Sequence, residues 1–235
     1  MKPKTITVAA LLALAATSGQ AQTLIQSGHV DIGVGFEDGM FDLHIHDETN
    51  DIEYSPPTGP NGAILGLPPS SLTSIPADPK FDFLGTAGEP LWVLPNTQRA
   101  DLIFLGFAAE EIEKGIFVGD SVRFHLRNVS GPGQFTVYDF DSFGDPKVVM
   151  NTRDGISQAD GFNTPAGGHA DLNWAFSAPG NYAVELSVSG TLVEGGQFLE
   201  SPVVSYTFAV VPEPGTIALL SLGGVALLLS RRGKR

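Results

Sequence analysis

The chain has 235 residues, 13 Lys and Arg against 26 Asp and Glu, a formal charge of −13, and no cysteine. Such acidity repels nucleic acid and anionic lipid. The lack of thiols excludes disulfide bracing, thiol catalysis and Cys-ligated zinc, so a core must hold the fold and any metal falls to His and carboxylate.

Residues 1–21 read as a secretory signal peptide. Lys2 and Lys4 form a basic start, Ile6 to Ala16 an apolar stretch, and Gly19-Gln20-Ala21 a small-residue cleavage site. The mature chain is therefore expected to start near Gln22 and to be exported through the inner membrane. The body, 22–210, keeps 7 Lys and Arg against 25 Asp and Glu, a formal charge of −18. That balance suits a solvated, secreted surface and favours cations over nucleic acid.

The body alternates as half-buried strands do. Val30, Ile32 and Val34 face one way along His29 to Phe36, with His29, Asp31 and Gly33 opposite. Along Met40 to His46, Phe41, Leu43 and Ile45 oppose Asp42, His44 and His46. Ser55 to Pro79 is rich in Pro, Gly and Ser and reads as a long loop. Ala108 to Lys114, ended by Gly115, reads as a two-turn connector helix. Ser121 to Val129 alternates again, with Val122, Phe124 and Leu126 inward and Arg123, His125 and Arg127 outward. Gln134 to Phe140, Ala170 to Phe176, Asn181 to Ser189 and Ser201 to Val210 complete the predicted strands, and Pro179-Gly180-Asn181 is a turn. These strands predict one all-β domain, an antiparallel β-sandwich of Ig-like or jelly-roll-like type.

Candidate chemistry centres on histidine. His44 and His46 lie at i, i+2 on one strand and leave the same face, a way to offer two ligands to one ion. His29 stands on the preceding strand and joins them if the two strands pair. His169 enters a later strand in Gly167-Gly168-His169-Ala170-Asp171. With a carboxylate, this set suits zinc, or manganese if carboxylates and water complete the shell. The alternative is that these rings are bonded to loop backbone. His125 is set aside because Arg123 and Arg127 flank it on the same face. The acidic loops Asp139 to Asp145 and Asn151 to Gly155 lack EF-hand spacing and read as Asx turns. Trp174 alternates with Leu172 and Phe176 and reads as core. Neither a Gly-x-Ser-x-Gly elbow nor His-Glu-x-x-His occurs, so the protein is not read as an enzyme.

Several segments in order resemble the choice-of-anchor M domain: Ser27-Gly28-His29-Val30-Asp31-Ile32, Phe83-Leu84-Gly85-Thr86-Ala87-Gly88, Leu91-Trp92-Val93-Leu94-Pro95 and Gly131-Pro132-Gly133-Gln134-Phe135. The run from His169 through Asn173-Trp174-Ala175-Phe176 is similar to the His-Ala-x-x-Asn-Trp-Ala-Phe repeat of actinobacterial surface-anchored proteins. Asp171 stands where that repeat often has a second His. The resemblance implies a surface protein with a metal-linked role, since some relatives accompany transporters resembling metal-uptake systems.

Residues 211–235 hold Pro212-Glu213-Pro214, an apolar run from Thr216 to Ser230, and a basic end with Arg231 and Arg232. Together they resemble the PEP-CTERM sorting signal of Gram-negative bacteria. The resemblance implies an exosortase-type enzyme as partner and a transient stay in the inner membrane, with the basic end cytoplasmic. The apolar run predicts a single short sorting helix: fifteen residues rise ~22 Å against a hydrocarbon core of ~30 Å. The expected function is a non-catalytic protein of the cell surface or extracellular matrix that binds a divalent metal through His29, His44, His46 and His169. A carbohydrate-binding matrix module, with Trp92 or Tyr138 lining an exopolysaccharide groove, and a metal-dependent hydrolase are the alternatives.

Overall fold

The structure, a computed structural model, describes residues 22–212. The predicted signal peptide lies outside the described residues. So do Glu213, Pro214, the apolar run, Arg231 and Arg232.

Among the described residues, seventeen strands form three sheets packed as a sandwich-like all-β fold. The seven-stranded sheet runs β1 (Thr23–Ile25), β5 (Ala63–Leu67), β17 (Val204–Val210), β15 (Gly180–Thr191), β9 (Ser121–Ser130) and β12 (Gly161–Pro165), with β16 (Phe198–Glu200) also on β15. A five-stranded sheet runs β11 (Pro146–Asn151), β10 (Phe135–Phe140), β14 (Asn173–Phe176), β7 (Pro90–Leu94) and β6 (Leu72–Ser74). The other five-stranded sheet runs β13 (His169–Asp171), β8 (Ile103–Ala108), β2 (Gly28–Glu37), β3 (Met40–Asp47) and β4 (Ile52–Tyr54). Most pairs are antiparallel, as expected. Three are parallel: β1 with β5, β5 with β17, and β2 with β8. A parallel pair needs a crossover, and the chain between β2 and β8 supplies one by building strands in all three sheets.

One apolar cluster joins the sheets. Phe107 of β8 stacks on Phe124 of β9 at 4.5 Å and meets Trp174 of β14 at 5.0 Å; Trp174 in turn stacks on Phe208 of β17 at 5.8 Å. These four rings are fully buried, which places Trp174 in the core as its alternation predicts. Its indole Nε1 donates to the Leu105 carbonyl at 3.0 Å, so the ring's polar atom is satisfied.

Three sequence expectations are corrected. The connector helix at Ala108 to Lys114 does not form. Ala108 ends β8, and a single turn follows, closed by the Ile112 amide on the Ala109 carbonyl at 3.2 Å. Two turns of helix are marginal alone, and burying Ile112 requires only the one turn. Gly115 does take the left-handed φ, +88°, but it closes a loop. The loop Ser55 to Pro79 hides β5 and β6. The apolar run Ala63-Ile64-Leu65-Gly66-Leu67 lies between two parallel partners, where runs need not alternate. The strand Ala170 to Phe176 is two strands in two sheets. The chain crosses at Leu172, whose amide donates to the Leu105 carbonyl at 3.1 Å. No helix among the described residues is long and apolar enough to cross a membrane.

Candidate metal centre

The site begins with a two-residue turn. Asp38 and Gly39 both have positive φ, 50° and 78°, the requirement of a type I′ hairpin turn. That turn fixes the β2–β3 register, setting Asp31 opposite His46 and Gly33 opposite His44. On the other side β2 runs parallel to β8, with Asp31 beside Gly106, and β13 places Asp171 opposite the same glycine. Since alternate residues share a face, one row across four strands reads His46, Asp31, Gly106, Asp171. His29 and His169 flank that row from positions two residues away on β2 and β13. The two strands thus supply the same tripeptide pattern, His29-Val30-Asp31 and His169-Ala170-Asp171.

Gly106 makes room for the cluster. A Cβ there would stand 2.4 Å from Asp31 Oδ1. Into this gap four side chains converge. His29 Nε2 is 3.3 Å from Asp171 Oδ1 and 3.7 Å from Asp31 Oδ2, and His169 Nε2 is 3.7 Å from Asp171 Oδ2. The two imidazole rings are 5.2 Å apart. Asp31 is fully buried. Both its oxygens, His29 Nε2 and Asp171 Oδ1 are buried without an aligned hydrogen bond. His169 is oriented from behind: its Nδ1 lies 2.6 Å from Glu110 Oε1, which leaves Nε2 toward the cluster.

The electrostatics match this crowding. Burial pushes the Asp31 carboxyl up to about 6, against the pull of His29 and His169; Asp171 and Glu48 add to the rise. Burial also raises Asp171, opposed by the same two histidines. The Glu110 hydrogen bond raises His169. Apposed carboxylates in a poorly solvated cleft need positive charge among them.

The geometry fits a small divalent ion. Around a tetrahedral ion with bonds of about 2.0–2.1 Å, ligand atoms stand roughly 3.3 Å apart. One donor atom each of His29, His169 and Asp171 lies within 4.8 Å of the others, with contacts of 3.3 and 3.7 Å, and Asp31 joins this group through His29 at 3.7 Å. Of nine buried side-chain polar atoms without an aligned hydrogen bond among the described residues, six lie on or beside this sheet face: His29 Nε2, both Asp31 oxygens, Asp171 Oδ1, His44 Nδ1 and Glu48 Oε1, of which the last has His46 Nδ1 at 2.8 Å.

The structure therefore brings His29 and His169 together, from strands far apart in sequence. His44 and His46 share a face, but their rings are 6.5 Å apart and turn to different carboxylates. His46 Nδ1 approaches Glu48 Oε1 at 2.8 Å, and His44 Nε2 approaches Glu111 Oε1 at 3.5 Å. Asp31 is the residue that the His pattern alone misses; the repeated His-x-Asp tripeptide is the signal that finds it. Elsewhere, Asp141 Oδ1 accepts the amides of Phe143 and Asp145 at 2.8 and 3.0 Å, so that loop is an Asx turn. Trp92 and Tyr138 are both buried, not exposed platforms.

The body is thus an all-β domain carrying a cluster of two histidines and two aspartates in which Asp31 is buried, His29 and Asp171 are half-buried and His169 is exposed. The family model of the PEP-CTERM protein-sorting motif matches residues 210–233. That span takes in Pro212, Glu213, Pro214, Arg231 and Arg232. The motif marks an exported protein that an exosortase recognises and sorts to the cell surface in Gram-negative bacteria. No curated protein and no solved structure matches the chain.

Proposed function

We propose that the protein is a non-catalytic surface domain that holds one divalent transition-metal ion, zinc or manganese, between His29, Asp31, His169 and Asp171. The observation that carries this reading is that one donor atom each of His29, His169 and Asp171 lies within 4.8 Å of the others, beside a fully buried Asp31 whose two oxygens have no hydrogen-bond partner. An unpaired buried polar atom costs about 1–3 kcal/mol, and a charged one more, so an ion held among these residues relieves that cost. Two imidazoles and two carboxylates suit zinc, and manganese if water adds to the shell. The non-catalytic part of the reading rests on the sequence, which holds neither a Gly-x-Ser-x-Gly elbow nor a His-Glu-x-x-His motif. The likeness of the body to choice-of-anchor M domains, seen in its sequence, agrees with a metal-linked surface role in the cell envelope or matrix.

The test uses the full-length chain, purified in detergent without chelators. Elemental analysis after gel filtration is expected to find a tightly held zinc or manganese ion in the wild type and none in His29→Ala/His169→Ala. Equal metal in both proteins would falsify the site. Turnover of ester or phosphoester substrates by the metal-loaded chain, lost in the same variant, would replace the non-catalytic reading with a hydrolase.

A further inference from the structure

We infer a second, weaker divalent-cation site on the same sheet, built by His44 with Asp42 and Glu53, with Glu111 beside the imidazole. It stands on its own donor atoms and does not depend on the four-residue centre.

Asp42 and His44 are at i, i+2 on β3 and leave one face; Glu53 comes from β4, which pairs beside it. A nitrogen of His44 and one oxygen each from Asp42 and Glu53 lie within 4.8 Å of one another. His44 is only 2% exposed, and its Nδ1 is buried without a partner. Its Nε2 is 3.5 Å from Glu111 Oε1. Even a protonated ring paired with Glu111 leaves Nδ1 unsatisfied.

Two glycines make the trough. A Cβ on Gly33 would meet His44 Nε2 at 2.2 Å, and one on Gly35 would meet Glu111 Oε2 at 2.8 Å. Gly33 and Gly35 are successive outward positions of β2, so the strand is bare where the imidazole and the carboxylate lie across it. Beyond them opens a depression of about 500 Å³ whose charged lining, Glu37, Asp38, Asp42, Glu53 and Glu111, is all acidic. A concave surface of one sign concentrates counter-ions. One imidazole among carboxylates is a harder donor set than the first centre and suits Mn²⁺. Asp42 and Glu53 are exposed, so this ion exchanges with solvent more readily than one held by buried Asp31.

The experiment is a Mn²⁺ titration of the full-length chain, with free Mn²⁺ read by electron paramagnetic resonance. His44→Ala is expected to weaken the lower-affinity binding at least tenfold. So is Asp42→Asn/Glu53→Gln, which alters only exposed side chains and guards against a folding defect. His29→Ala/His169→Ala should leave this binding in place. If that last variant lost only the tighter ion while His44→Ala lost the weaker one, the two sites would be separate. If only His44→Ala lost metal, the second site would stand and the first would fail. Mn²⁺ binding that is identical in the wild type, His44→Ala and Asp42→Asn/Glu53→Gln overturns the inference.

Discussion

His125 on β9 and His29 on β2 occupy the same kind of place: the polar side of an alternating strand in a packed sheet. Their surroundings are opposite. His125 Nε2 meets Ser189 Oγ at 2.8 Å, and the neighbouring Arg127 is bonded to Ser187 and Glu200. Arg123 reaches Asn163 Oδ1 and the Ala159 carbonyl, both at 3.0 Å. The polar groups around His125 have partners, and the charges of Arg127 and Arg123 outweigh that of Glu200. Around His29 the nearby charges are negative and the atoms face one another unpaired. A histidine on a strand therefore says little alone. The sign and satisfaction of its neighbours decide whether it closes a hydrogen-bond network or awaits a cation.

The largest expected effect that separates the two regions is metal stabilisation. Zinc at a thousandfold excess over its dissociation constant adds about 4 kcal/mol to folding stability. For a body of this size, each kcal/mol moves the melting temperature by roughly 2–4 °C. Wild type should thus gain on the order of 10 °C by calorimetry. His29→Ala/His169→Ala should lose most of that gain, and a variant at His125 should gain as much as wild type. A similar shift in the double variant would place the stabilising ion elsewhere.

The next effect is a pH slope. A folded-state carboxyl raised from 3.8 to about 6 binds protons more tightly than the unfolded chain does. Its contribution is full below the unfolded value and is lost as pH rises through about 6. The upward shifts of Asp171 and His169 act in the same direction. Metal-free protein should therefore lose about 1–2 kcal/mol between pH 5 and 7.5, measured as a fall in urea midpoint. Asp31→Asn should flatten that slope. Saturating zinc should reverse it, because protons and metal compete for the same atoms. Gly106→Ala is comparable in size: its Cβ has no room beside Asp31 and the Ala170 carbonyl, and overpacking costs roughly 1–3 kcal/mol. It should also weaken zinc binding, as titration calorimetry would read.

Much of this arrangement is legible in the chain. Alternation gives β2, β3, β9 and β15 almost to their ends, because each buries one face against the core. Asp38-Gly39 announces the hairpin that puts Asp31 beside His46. What alternation cannot reach is β5, a parallel strand buried on both faces, and the break at Leu172 that sends one run into two sheets. The pairing of β13 with β8 is the step that brings His169 to His29, and nothing local encodes it. Hence the sequence favours His44 with His46, which are neighbours in the chain, while the structure joins His29 with His169. The two His-x-Asp tripeptides are the only trace of that long-range contact in the sequence.

The smallest effect belongs to His125, and its sign is the sharpest test of the comparison. Burial depresses its protonation, and Arg127 and Arg123 depress it further. A histidine held below its unfolded value contributes stability above that value and loses it as pH falls. This is the reverse of the slope set by Asp31. His125→Gln keeps an amide able to bond Ser189 Oγ and removes the titration. It should cost no more than about 1 kcal/mol near neutral pH, the scale of one net hydrogen bond. It should leave zinc binding unchanged and make the metal-free protein's gain in stability toward pH 5 slightly steeper. A shallower gain would mean that His125 is charged in the fold, and the contrast between its closed network and the open cluster at His29 would no longer hold.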